Sequence, residues 1–123
     1  MTKVLVVEDS PFNMELALEM LDDMGCIAAG ATNGAEAIKN TENEVFDLIL
    51  MDIELPGMDG ISILKILKNR PKYKNVPIIA LTAYAMKGDK ERFLAAGFDD
   101  YISKPIDMDD FMKKVEKYGK QLS

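Results

Sequence analysis

Five short apolar runs, each too short for a surface helix and each broken off by polar or turn residues, constrain this chain more than any other feature. Val4-Leu5-Val6-Val7, Leu48-Ile49-Leu50-Met51 and Val76 to Leu81 show no polar alternation, the pattern of parallel strands buried on both faces. Cys26 to Ala31 reads as a weaker second strand and Tyr101-Ile102-Ser103 as a brief fifth.

The segments between them read as helices. Ser10-Pro11 supplies an N-cap followed by Pro at the first helical position, and Met14, Ala17, Leu18, Leu21 and Met24 then share one face until Gly25 closes the helix. Asn33-Gly34 turns into a short helix through Glu36 and Ile38. The turn-rich loop Leu55-Pro56-Gly57-Met58-Asp59-Gly60 leads to a helix with Ile61, Leu64 and Leu67 inward, stopped before Pro71. Gly88 to Ala96 forms a fourth helix with Gly97 as its C-cap. The last helix starts at Asp107, with Asp110 in a capping-box-like position, and buries Phe111, Val115 and Tyr118. Lys113, Lys114, Lys117 and Lys120 lie toward its C-terminal end, where cations oppose the helix dipole favourably. Of the nine Met residues, Met14, Met20, Met24, Met108 and Met112 fall at apolar or boundary helical positions as gap-fillers, and Met58 and Met86 fall in loops.

Strands that alternate with helices over 123 residues predict one domain, residues 1–123, of the α/β class: a doubly wound, five-stranded parallel sheet covered on both faces. In such sheets the functional crevice lies beyond the carboxyl ends of the strands. Polar groups occupy four of those ends: Glu8-Asp9 after strand one, Asp52 after strand three, Thr82 after strand four and Lys104 after strand five.

Composition removes several classes of chemistry from that crevice. The chain has no His and a single Cys, so imidazole-based nucleophilic catalysis, thiolate metal sites and disulfides are excluded. A formal net charge of −6 argues against nucleic acid as a partner. No apolar run approaches the roughly 20 residues of a membrane span, and the N-terminus lacks a signal-peptide profile, which predicts a cytoplasmic protein with no membrane insertion. The charge is uneven: residues 1–64 hold 2 basic and 13 acidic side chains, residues 65–123 hold 13 basic and 8 acidic. Acidic and basic helices that neighbour each other across the fold account for this more simply than a steering dipole.

Three carboxylates at one crevice repel each other and need a proton, a cation or a permanent positive partner. An all-oxygen cluster suits Mg²⁺, and Lys104 with the Thr82 hydroxyl would suit a phosphoryl group. Asp52, at the end of a central strand before a tight loop, is the candidate nucleophile for an aspartyl phosphate. Each residue taken alone has an ordinary reading. Glu8 and Asp9 read as solvated acids, Thr82 as a β-branched strand residue, Lys104 as an exposed cation and Tyr101 as core packing. Their joint placement at four strand ends carries the functional one.

The set Glu8-Asp9, Met51-Asp52 followed by Pro56-Gly57-Met58-Asp59-Gly60, Leu81-Thr82-Ala83 and Tyr101-Ile102-Ser103-Lys104-Pro105 resembles the receiver domain of two-component response regulators, over essentially the whole chain. The resemblance implies a flavodoxin-like, CheY-like (βα)5 fold with strand order 2-1-3-4-5. It implies Asp52 as phosphoacceptor and a Mg²⁺ site formed by Glu8, Asp9, Asp52 and the backbone carbonyl of Glu54. Thr82, the Ala83 backbone N–H and Lys104 would hold the phosphoryl group, and Thr82 with Tyr101 would form the switch. The Lys104-Pro105 bond is cis in the family. Tyr84 to Asp89 together with Tyr101 to Ile106 most resembles DivK-type cell-cycle regulators and the receivers of hybrid kinases. Glu54 and Tyr84 occupy positions that vary in the family and tune phosphoryl lifetime.

Three readings follow. The first is a single-domain response regulator without an output domain, a phosphoacceptor signalling protein and not an enzyme. A histidine kinase or histidine phosphotransfer protein would supply the phosphoryl group in trans. The surface of helix 4, strand 5 and helix 5 would then change toward a protein target, with the chain a monomer or a phosphorylation-dependent dimer. The second is a Mg²⁺-dependent phosphatase with an aspartyl-phosphate intermediate, in which Glu54 serves as acid/base; the chain lacks a cap to bind an organic substrate. The third is a flavodoxin-like cofactor binder, against which Glu8 and Asp9 would repel a cofactor phosphate.

Overall fold

The chain is described from a computed structural model, which covers residues 2–55, 57, 59–83 and 87–120, the side chains of Lys87 and Lys120 excepted. Pro56, Met58 and Tyr84, Ala85 and Met86, which carry part of the resemblance, lie outside the described residues.

The apolar runs form strands where predicted: β1 (Lys3–Val7), β2 (Ile27–Ala31), β3 (Leu48–Asp52), β4 (Ile78–Thr82) and β5 (Asp100–Ser103). All four pairings are parallel, and the order is β2-β1-β3-β4-β5. The order reverses between β1 and β3, which places the crevice of a doubly wound sheet at their carboxyl ends. Every residue of β3 and β4 is buried, as an unbroken apolar run requires.

Helices α1 (Pro11–Asp23), α2 (Gly34–Asn43), α3 (Gly60–Lys68) and α4 (Lys87–Ala96) make the crossovers, and α5 (Met108–Lys120) follows the last strand. Alternating residues of the central strands divide the core into two layers. Val4, Val6, Leu48, Leu50, Ile79 and Leu81 pack with Ala17 and Leu21 of α1 and Phe111 and Val115 of α5. Leu5, Val7, Ile49, Met51, Ile78 and Ala80 pack on the other side with Ala37 of α2, Ile63, Leu64 and Leu67 of α3 and Phe93 of α4.

The helix caps follow the sequence signals. Ser10 Oγ accepts from Asn13 N–H at 3.4 Å, Asn33 Oδ1 from Glu36 N–H at 2.9 Å, and Asp59 Oδ1 from Ser62 N–H at 2.8 Å. Gly25 at φ +82° and Gly97 at φ +118° take the left-handed conformation that ends α1 and α4.

Four local expectations are corrected. The inward row of α3 is Ile63, Leu64 and Leu67, with Ile61 only half-buried at the layer's edge. β4 begins at Ile78 and not at Val76, because Pro77 has no N–H for a ladder; Val76 is still buried. Asp110 does not close a capping box: its carboxylate reaches Lys114 at 3.4 Å, one turn along α5. Met108 opens α5 at 56% exposure instead of filling a core gap.

One buried phenol ties the connections together at the sheet's amino end. Tyr73, wholly buried in the short 3₁₀ turn Pro71–Tyr73, donates its hydroxyl to Glu44 O at 2.7 Å and accepts from Phe46 N–H at 3.2 Å. Tyr73→Phe leaves the buried Phe46 N–H without that acceptor and is expected to destabilise the fold by about 1–2 kcal/mol. Urea unfolding checks this, and an unchanged midpoint would show that the bond contributes nothing net.

Candidate functional site

The strand register assembles the site. Val7 pairs with Met51, which brings Glu8 level with Asp52, and Thr82 pairs with Ser103, so Lys104 follows one step beyond. Backbone bonds hold the strand ends: Glu8 N–H donates to Ala31 O at 2.9 Å, Ile53 N–H to Leu81 O at 3.1 Å, and Lys104 N–H to Thr82 O at 2.8 Å. The Lys104–Pro105 bond is cis.

Glu8 and Thr82 are fully buried, Asp52 is 2% exposed and Asp9 is exposed. Glu8, Asp9 and Asp52 each bring a carboxylate oxygen within 4.8 Å of the others. Lys104 sits against two of them, with Nζ donating to Asp52 Oδ2 at 2.8 Å and to Glu8 Oε1 and Oε2 at 3.0 and 3.2 Å. The other Asp52 oxygen, Oδ1, accepts from Glu54 N–H at 2.9 Å. Asp52, Glu8, Asp9 and Lys104 therefore meet as the strand-end argument predicts, with Thr82 on the neighbouring strand.

One ammonium cannot neutralise two buried carboxylates, and the difference appears in their proton affinities. Burial, then the hydrogen bond shared with Asp52, raises the Glu8 carboxyl to about 7 against the opposing pull of Lys104. Burial also pushes Asp52 up, but the bonds from Glu8, Lys104 and Glu54 N–H outweigh it and hold Asp52 below the ordinary Asp value. For Lys104, burial works against the charge, yet the two carboxylates win and raise it. In the metal-free site Glu8 therefore holds a proton more readily than Asp52 does.

An oxygen-only donor set of three carboxylates fits a hard divalent cation, which would supply the charge that Lys104 alone does not. Gly60 keeps the phosphoacceptor candidate in place. Its N–H donates to Ile53 O at 3.1 Å, and an added Cβ would lie 2.9 Å from both Asp52 O and Ile53 Cα, so the helix can start this close to Asp52 only with glycine there.

Sequence reasoning missed two contacts. The Glu54 side chain bends back so that Oε1 accepts from Ala83 N–H at 3.1 Å, and the N–H expected to face a phosphoryl oxygen is already in use. Tyr101 is half-buried with Lys114 Nζ 4.3 Å and Lys90 Nζ 5.3 Å from its ring centroid, while Lys114 also donates to Tyr101 O. Both join residues far apart in sequence with no motif to announce them.

The pH dependence of stability follows from Glu8. Its folded value of about 7 lies above the ordinary 4.5, so between these values the native state binds more protons than the unfolded chain, and stability falls as pH rises. The metal-free protein is expected to lose melting temperature from about pH 5 to about pH 8, and Glu8→Gln to flatten that slope. Thermal melts in chelator across this range check it; a melting temperature that rises through the window contradicts the assignment of the proton to Glu8.

Known proteins resemble this chain over almost its whole length. The response regulator receiver domain family matches residues 4–116. The polar-differentiation response regulator DivK of Brucella anthropi is 40% identical over 115 residues, 94% of either chain. Hybrid signal transduction histidine kinase G of Dictyostelium discoideum is 41% identical over 120 residues, and there the match spans 95% of this chain but 4% of the kinase. Among solved structures, the receiver domain of the Pseudomonas aeruginosa sensor histidine kinase PA1611, with a magnesium ion coordinated in its active-site cleft, superposes with a TM-score of 0.87 at 35% identity, covering 95% of this chain and 96% of that one. The receiver domain of the Saccharomyces cerevisiae response regulator Ssk1, crystallised with the histidine phosphotransfer protein Ypd1, superposes with a TM-score of 0.90 at 30% identity, covering 99% and 92%. With its parallel 2-1-3-4-5 sheet and its acids and lysine gathered at the strand ends, the chain belongs to the response regulator receiver domain family of two-component signalling.

Proposed function

We propose that Asp52 accepts a phosphoryl group from a phosphohistidine of a partner kinase or phosphotransfer protein, and that this modification changes the surface the chain presents to a protein target. The observation that carries the reading is the Lys104 ammonium bonded to both Asp52 and Glu8 in a buried strand-end pocket. It keeps Asp52 ionised while the neighbouring acid takes the proton. These 123 residues hold no His, so the donor imidazole lies outside them.

In the step itself an Asp52 carboxylate oxygen attacks phosphorus, the new P–O bond forms as the P–N bond breaks, and the imidazole leaves with the electron pair and takes up a proton. Glu8, Asp9 and Asp52 with the Glu54 carbonyl would hold Mg²⁺, which supplies positive charge to the phosphoryl oxygens. Lys104 then turns from Asp52 toward the phosphoryl group, and Thr82 and the Ala83 N–H bond its remaining oxygens. The Ala83 N–H becomes available once the Glu54 carboxylate lets go of it. The Glu54 carboxylate, which the phosphatase alternative needs as its acid/base, is engaged there with the Ala83 N–H.

The incoming protein has a surface to meet beside the pocket. Phe12 of α1 is 72% exposed, and Pro11, Met14 and Leu18 line an apolar hollow of about 440 Å³ that runs from Glu8 and Asp9 along α1 past Glu15 and Glu19. An apolar docking face with acidic edges, next to the phosphoacceptor, suits a helical donor with an apolar and basic face. On the opposite side, Tyr101 connects the site to α4 and α5 through Lys90 and Lys114, the route by which movement of Thr82 would reach the surface of α4, β5 and α5.

Asp52→Asn is expected to abolish uptake of a phosphoryl group from acetyl phosphate with Mg²⁺ while the domain stays folded. Intact mass spectrometry reads this, and labelling of the variant at the parent rate would move the nucleophile elsewhere. Phe12→Ala is expected to slow transfer from a protein phosphodonor several-fold and to leave labelling by acetyl phosphate unchanged. Equal slowing with both donors would contradict the docking role of α1.

A further inference from the structure

A second polar concentration lies at the other end of the molecule, outside the phosphoryl chemistry. Residues 65–75 hold five basic side chains, Lys65, Lys68, Arg70, Lys72 and Lys74, and no acid. Two of them are structural. Arg70 is bonded to Thr41 and to Ile38 O, and Lys72 donates to Glu42 O at 3.1 Å beside the Tyr73 ring.

The other three surround one hollow of about 540 Å³ between the C-terminal ends of α3 and α4. Lys68 is half-engaged, with Nζ on Val76 O at 2.6 Å and Asp99 Oδ2 at 3.7 Å. Lys65 and Lys74 are exposed and have no ion-pair partner among the described residues. The floor is different in character. Half-buried Ala96 and exposed Gly97 form it, with Leu64 packed beneath them at 1% exposure, and it stays open at Gly97, whose φ of +118° disfavours a side chain.

The geometry points to a binding site for a small phosphorylated molecule with a flat apolar part, a nucleoside phosphate, in which the ring lies on Ala96 and Gly97 and the phosphates meet Lys65 and Lys74. The volume falls within the roughly 300–1,000 Å³ of small-molecule sites. Unpaired ammoniums around an apolar floor match an anion with an apolar ring better than they match a bare anion or a neutral solute. A polyanion fits less well, because a chain of net charge −6 repels an extended phosphate backbone. The site is far from the phosphoacceptor: α3 starts at Gly60 against Asp52 and ends at Lys68, about 13 Å along its axis. This proposal does not rest on phosphorylation of Asp52.

The test is an amide NMR titration of the protein in magnesium-free buffer with ADP, and separately with pyrophosphate and with adenosine. ADP is expected to produce saturable shifts centred on Leu64, Asn69, Ala96 and Gly97, and to bind at least about tenfold more tightly than either fragment. The double variant Lys65→Gln with Lys74→Gln, which leaves the engaged Lys68 in place, is expected to lose at least about tenfold in ADP affinity at an unchanged melting temperature. Absence of saturable shifts at these residues, ADP affinity unaltered in the double variant, or pyrophosphate binding as well as ADP would each overturn the assignment.

Discussion

The site depends on one cation held between two carboxylates that have almost no access to water. Glu8 is fully buried and Asp52 2% exposed, and both are bonded to Lys104 Nζ. Without that ammonium, two buried carboxylates at this separation could not both ionise. With it, the charge divides unequally: burial leaves Glu8 reluctant to ionise, and the hydrogen bonds collected by Asp52 keep Asp52 charged. A single positive charge leaves the three-acid cluster electrostatically incomplete, an arrangement compatible with a hard divalent cation; in the proposed function that cation and then a phosphoryl group would complete it.

That arrangement is a product of the sheet. Parallel strands put all their carboxyl ends on one side, and the 2-1-3-4-5 order makes β1, β3, β4 and β5 consecutive neighbours there. Residues as distant in sequence as Glu8 and Lys104 thus become hydrogen-bond partners, each fixed by a backbone bond to the neighbouring strand. Gly60 adds the last constraint, since only a residue without Cβ lets α3 begin against the backbone of Asp52. The helices carry the chain back to the amino end, where Tyr73 and the basic residues around the end of α3 do separate work.

Much of this is legible in the sequence for physical reasons. Runs such as Leu48 to Met51 have no polar alternation, so they can only be buried on both faces, and the polar residue that ends each run marks the rim of the sheet. The four strand ends and the lysine that joins them followed from that pattern, and the resemblance added the strand order. Local rules gave way where tertiary contacts decided. Asp110 prefers Lys114 to its own helix start, the rotation of α3 buries Ile63 ahead of Ile61, and Pro77 delays the ladder of β4. The Glu54 contact to the Ala83 N–H and the lysines on either side of Tyr101 were not legible at all, because both bridge separate elements and neither has a local signal.

The most direct measurement of the central claim is amide NMR of the protein titrated with Mg²⁺ and then with beryllofluoride, a stable mimic of a phosphoryl group. The account predicts shifts at Glu8, Asp9, Asp52, Thr82 and Lys104 that depend on both additions and extend through Tyr101 into α4 and α5. A spectrum in which the strand-end residues do not move would contradict it.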